Sequence, residues 1–91
     1  MRYRWYDKMK TKTPAVLEVM EAFQADLEYG GMGLMVDDVV ELTTLDTNQV
    51  APRVFHLVKD GVLRPTGKRG KTRYGCSAKI WEIAPEARGF S

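Results

Sequence analysis

Apolar residues recur at Val16, Met20, Phe23 and Leu27, the spacing of a single buried stripe on a helix. Thr13-Pro14 supplies a start for that helix, because Thr can cap and Pro is comfortable in the first turn. Gly30-Gly31 supplies its end. Glu18, Glu21, Asp26 and Glu28 fall mostly off the stripe. Met32 to Met35 reads as a short apolar link with room for a one-bridge strand. A second helix is predicted over 36–43, with Val36, Val39, Val40 and Leu42 facing inward. Residues 44–47 form a turn rich in polar caps, with Leu45 as a plug between helices. A third helix is predicted over about 48–60, on the stripe Val50, Val54, Leu57 and Val58, and Gly61 ends it. Pro52 keeps that helix from starting far upstream of Asn48, since a proline deep inside a helix removes a hydrogen bond and clashes.

Beyond Gly61 the period changes. Residues 62–65 and 78–83 read as strands, and 66–77, with three glycines and four basic residues, as a long exposed loop. Alternation puts Trp81 on one strand face with Lys79 and Ile83, and Trp81 is expected in the core. Residues 1–12 mix basic and aromatic side chains without a helical stripe. They are expected to form an arm, with a short strand at 2–6 as one option. That arm could follow a minor groove, pair with a second copy, or pack Trp5 onto the core. The chain thus divides into an arm (1–12), a domain (13–83) and a loose tail (84–91).

Charge changes the picture more than composition does. The net charge is only +2 over 91 residues, yet the charges stand in blocks. Residues 13–52 hold eight acidic residues and no basic one, while 53–81 hold eight basic residues and one acidic. A positive block of this kind suits a polyanion, and DNA is the first candidate. The acidic block would face away from a duplex, as a solvated surface or as a dock for a basic partner.

No apolar run approaches the roughly 20 residues that span a bilayer, and no signal-peptide core follows the basic N-terminus. The expectation is a soluble cytoplasmic protein without membrane contact. Cys76 and His56 are each the sole residue of their type, so no Cys/His zinc site and no internal disulfide can be assembled. Neither a phosphate-binding GKS/T loop nor a nucleophile–base constellation is present, and Asp37-Asp38 are adjacent on a helix and point apart. No enzyme activity, cofactor or metal is expected.

The element order is that of a winged helix-turn-helix. Asn48, Val50, Pro52, Arg53, Leu57 and Gly61 give N-x-V-x-P-R-x-x-x-L-x-x-x-G; Gly67 and Arg69 give a basic G-x-R wing; Thr72, Gly75, Ala78 and Trp81 give T-x-x-G-x-x-A-x-x-W. In these residues the chain resembles the small winged helix-turn-helix DNA-binding proteins of phages and bacteria. It departs from them at Val54 and Phe55, where further basic residues are common. The resemblance implies an α+β fold of three helices and a C-terminal hairpin wing, a role in phage or mobile-element regulation, and residence in the host cytoplasm.

In that family the last helix enters the major groove. The residues expected to touch DNA are Asn48, Gln49, Pro52, Arg53, His56 and Lys59 on the helix, and Arg64, Lys68, Arg69, Lys71, Arg73 and Tyr74 on the wing. Gln49 could pair with adenine and Arg53 with guanine, whose edges match their forked donors. The competing reading of Arg53 is an ion pair with Asp37 or Asp38, and Tyr74 could equally stack on DNA or close the hairpin. Double-stranded DNA is the expected partner, with a homodimer on a repeated site as a plausible arrangement. The alternative is a host-protein interaction module on the same fold, in which an exposed Phe55 would be an anchor. RNA is a weaker third, since the usual aromatic strand motif is missing.

Overall fold

The computed structural model describes residues 3–9 and 13–88. It is α+β: four helices are followed by one antiparallel hairpin and a closing turn. The helices are α1 (Arg4–Met9), α2 (Pro14–Glu28), α3 (Val36–Leu42) and α4 (Thr47–Lys59); the strands are β1 (Leu63–Lys71) and β2 (Ser77–Ile83); Pro85–Ala87 is a 3₁₀ turn. Among the described residues no helix is long and apolar enough to cross a membrane.

The core forms where the predicted stripes meet. Met20 and Phe23 of α2, Val39 of α3, and Val50, Val54 and Leu57 of α4 are all buried, together with Leu63, Trp81 and Ile83 of the hairpin. Leu45 packs against this cluster from the turn between α3 and α4. The link before α3 makes its single bridge: Leu34 pairs with Trp81, with N–H to carbonyl distances of 2.9 and 2.8 Å in the two directions. Gly33, at φ +105°, lies under that bridge, where an added Cβ would come within 2.5 Å of the Trp81 carbonyl oxygen. The chain can cross the hairpin this closely only because no side chain stands there.

Several expectations need correction. Residues 4–9 are helical, not the short strand that was one option, and of the arrangements open to the arm the packing of Trp5 onto the core is the one observed: Trp5 is buried against α2 and donates from Nε1 to Gln24 Oε1 at 2.8 Å. Tyr3 stacks on the Trp5 ring at 5.6 Å, so the aromatic residues form one docked face. Arg2, Lys10, Lys12 and the side chain of Lys8 lie outside the described residues.

The long loop expected over 66–77 is mostly paired strand. Arg69, Gly70 and Lys71 stand opposite Lys79, Ala78 and Ser77, and only 72–76 turn, closed by Thr72 N–H to the Cys76 carbonyl at 2.8 Å. A bulge between Pro65 and Arg69 absorbs the extra residues, with Gly67 at φ +89° inside it. That insertion hides the strand from a reading based on alternation.

Leu42 faces solvent, being 62% exposed at the end of the short α3. The tail folds back at least to Arg88: Ala84 and Ala87 are buried, and Arg88 Nε donates to the Ile83 carbonyl at 2.8 Å. Its last residues, 89–91, are outside the described set.

Helix α4 starts on a reciprocal cap. The Asp46 carboxylate accepts from Gln49 N–H at 3.0 Å, and Gln49 Oε1 accepts from Asp46 N–H at 3.1 Å. Such a cap is worth about 1 kcal/mol. It also offsets the proline in the second turn, since Pro52 has no N–H to give the Asn48 carbonyl. The other expected cap is unused: Thr13 precedes α2 without a side-chain bond, and Pro14 alone marks that start.

Candidate nucleic-acid interface

Val50, Val54 and Leu57 fix the rotation of α4, so Asn48, Pro52, Phe55, His56 and Lys59 are turned to solvent. Val54 is fully buried, which explains why no basic residue stands there. Arg53 lies half-buried along the helix and donates from Nη1 to the Gln49 carbonyl at 2.6 Å. Neither Asp37 nor Asp38 pairs with it. Asp38 instead accepts from Met35 N–H at 3.0 Å and starts α3. Gln49 spends its carbonyl oxygen on the cap, which leaves its amide nitrogen as the end that could reach outward.

The hairpin sorts its cations by face. Residues paired directly across two strands share a side of the sheet, and so do residues two apart. The pairs Arg69–Lys79, Lys71–Ser77 and Pro65–Trp81 therefore place Arg69, Lys71 and Lys79 on the side that carries Trp81. Lys79 Nζ lies 5.7 Å from the centre of the Trp81 ring, a cation held over an aromatic face. Arg69 donates from Nε to Ser77 Oγ at 2.8 Å, which orients its guanidinium. Trp81 in turn meets Phe55 of α4 edge-on at 6.0 Å. The exposed side of α4 and the basic side of the hairpin are joined at this aromatic contact. Between them opens a cleft of about 340 Å³ whose walls include Phe55, Lys79, Trp81 and Thr72.

Two expected residues are drawn elsewhere. Arg64 sits opposite Glu82 on the other side of the hairpin and pairs with it at 2.8 Å. Arg73, at the turn, pairs with Glu41 of α3 at 2.8 Å. Lys68 lies in the bulge, where its N–H bonds to Thr66 Oγ1 at 3.1 Å. Tyr74 is 81% exposed and does not close the hairpin by packing. Among the described residues, no carboxylate pairs with Arg53, Lys59, Lys68, Arg69, Lys71 or Lys79.

One arrangement is unfavourable for the isolated chain. Arg69 and Lys79 face each other directly across the strands, and like charges in that position destabilise a hairpin. An anion bridging them would remove the repulsion. The residues singled out for DNA contact did not include Lys79, which was counted only within the basic wing, or Phe55, which was named only as an anchor for a protein partner. The signal for Lys79 was present in its i, i+2 relation to Trp81, which fixes the side it occupies. Phe55 gave only a weak one, an apolar residue off the stripe of α4.

Comparison of the sequence with protein-family models returned no match, and comparison with curated proteins returned none either.

Proposed function

We propose that the chain is a winged-helix DNA-binding protein, of the kind that serves as a phage or mobile-element regulator. In this reading α4 enters the major groove and the hairpin is the wing, lying on the flanking backbone. The reading is carried by one observation: Arg69, Lys71 and Lys79 share the hairpin side that joins α4 through Trp81 and Phe55, and among the described residues no carboxylate forms an ion pair with them, although Asp37 lines the same cleft. Asn48, the Gln49 amide, Arg53 and His56 are the groups of α4 placed to meet base edges or nearby phosphates. Arg64 and Arg73 are withdrawn from the expected set, because the chain's own carboxylates hold them.

Six cations remain for phosphate: Arg53, Lys59, Lys68, Arg69, Lys71 and Lys79. If all six make contact, log K should fall with log salt at a slope of roughly −5. A mobility-shift titration on random duplex DNA measures this, and a slope near zero would reject the reading. Selection of bound duplexes from a random pool then reports whether α4 reads sequence. Enrichment of a motif would assign Arg53 or Gln49 a base, with Arg53→Ala costing about 1–3 kcal/mol at that position. Enrichment of two spaced copies would support a dimer.

A second reading has one observation in its favour. Phe55 is 58% exposed beside the cleft, an apolar group that a duplex backbone does not need. In that reading the cleft takes a side chain of a host protein, and Phe55→Ala would abolish capture of that protein from nuclease-treated lysate.

A further inference from the structure

The acidic half of the chain carries a groove of its own. It lies along α2 and reaches the end of α3, with a volume of about 620 Å³. Its apolar lining is the buried Ala22 with the exposed Ala25, Tyr29 and Leu42. Tyr29 is 89% and Leu42 62% exposed, although both are large and apolar. None of its lining residues belongs to the cleft at Phe55 and Trp81.

The rim is formed by Glu18, Glu21 and Asp26. Two of these carboxylates are fixed in place by neutral donors. Glu18 Oε1 accepts from Thr44 N–H at 2.7 Å and from Thr44 Oγ1 at 3.0 Å. Asp26 Oδ2 accepts from Gly33 N–H at 3.0 Å. Hydrogen bonds of this type hold a carboxylate in position without cancelling its charge. Residues 13–52 contain no basic residue, so no cation from this stretch supplies compensation. The result is an apolar trough with negative edges, and among the described residues no cation forms an ion pair with Glu18, Glu21 or Asp26.

We propose that this groove docks a basic amphipathic helix of a partner protein. The trough would take apolar residues at i, i+3 and i+4 spacing, and lysines or arginines on the flanks would meet Glu18, Glu21 and Asp26. The charge excludes nucleic acid and acidic peptides as occupants. The apolar lining disfavours a free polyamine, which has no side chains to cover it. The lining of the groove runs from Glu18 to Tyr29, about 16 Å of track, enough for a helix of about three turns. The proposal does not rest on the DNA reading, since the two surfaces share no residue.

The probe is a fluorescein-labelled synthetic peptide of about fourteen residues. It carries leucines at helical spacing and lysines elsewhere, and is followed by anisotropy with no nucleic acid present. Saturable binding that weakens with salt is expected. A peptide of the same composition with its leucines scrambled should bind about tenfold more weakly. Glu21→Lys should weaken binding about tenfold, and Tyr29→Ser and Leu42→Ser about fivefold each. All three side chains are exposed, so unchanged thermal unfolding curves would certify the variants as folded. Equal binding of the scrambled peptide, or wild-type affinity in all three variants, would overturn the proposal. So would a homodimer in sedimentation that the same substitutions dissociate, because the groove would then be filled by a second copy.

Discussion

The two charge blocks of this chain are used in opposite ways. In the acidic half, carboxylates accept hydrogen bonds from the chain itself: Asp46 starts α4, Asp38 starts α3, Glu18 holds Thr44, and Asp26 holds Gly33. In the basic half, six of the eight cations have no carboxylate partner among the described residues. Acceptors can serve the architecture cheaply, because a folding backbone leaves N–H groups unpaired at every helix start. Of the six cations, only Arg53 and Arg69 donate from the side chain to the chain itself, to the Gln49 carbonyl and to Ser77 Oγ. Left projecting, the others are available to a ligand.

That contrast can be broken at several strengths. The strongest test lies outside both blocks, at Trp5. Trp5→Ala removes a buried ring and orphans Gln24, so it should cost about 3–5 kcal/mol in chemical denaturation while leaving the DNA affinity of the folded fraction unchanged. Next comes the hairpin. Each phosphate contact is worth roughly fivefold in affinity near physiological salt, so Arg69→Ala, Lys71→Ala and Lys79→Ala together should weaken duplex binding about a hundredfold. The same triple variant should melt no lower than the wild type, because the Arg69–Lys79 repulsion is gone. A fall in melting temperature of the kind seen for core variants would mean that these cations are structural after all.

Glu18→Ala sharpens the other side. It should cost about 1 kcal/mol of stability through the lost Thr44 bonds and change DNA affinity little. The smallest effect is expected at Arg64. Its ion pair with Glu82 is half-exposed, so Arg64→Ala should move stability by less than about 1 kcal/mol and leave the salt slope of DNA binding unaltered. A slope reduced by about one would return Arg64 to the contact set.

How far the sequence carried these readings depends on distance along the chain. The stripes of α2 and α4 were legible because a helix writes its buried face at fixed spacing. The position of Trp81 was legible because a strand alternates. Helix α1 was not, since it depends on Trp5 meeting Gln24, nineteen positions away, and the local pattern of aromatic and basic residues favours no period. The length of β1 was obscured by the bulge around Gly67 and by a composition of Gly, Lys, Arg and Thr with no alternation to read. Within the candidate site, the projecting cations could be named from charge alone. The withdrawal of Arg73 and Arg64 could not, because Glu41 and Glu82 lie 32 and 18 residues from them.

The pair between Arg73 and Glu41 couples the turn of the hairpin to α3, and both side chains are at least half in solvent. Such a bond loosens as ions crowd around it. Rising salt should therefore free the tip of the hairpin from α3 while the paired strands stay closed, so this tie between turn and helix is also one that solvent ions can undo.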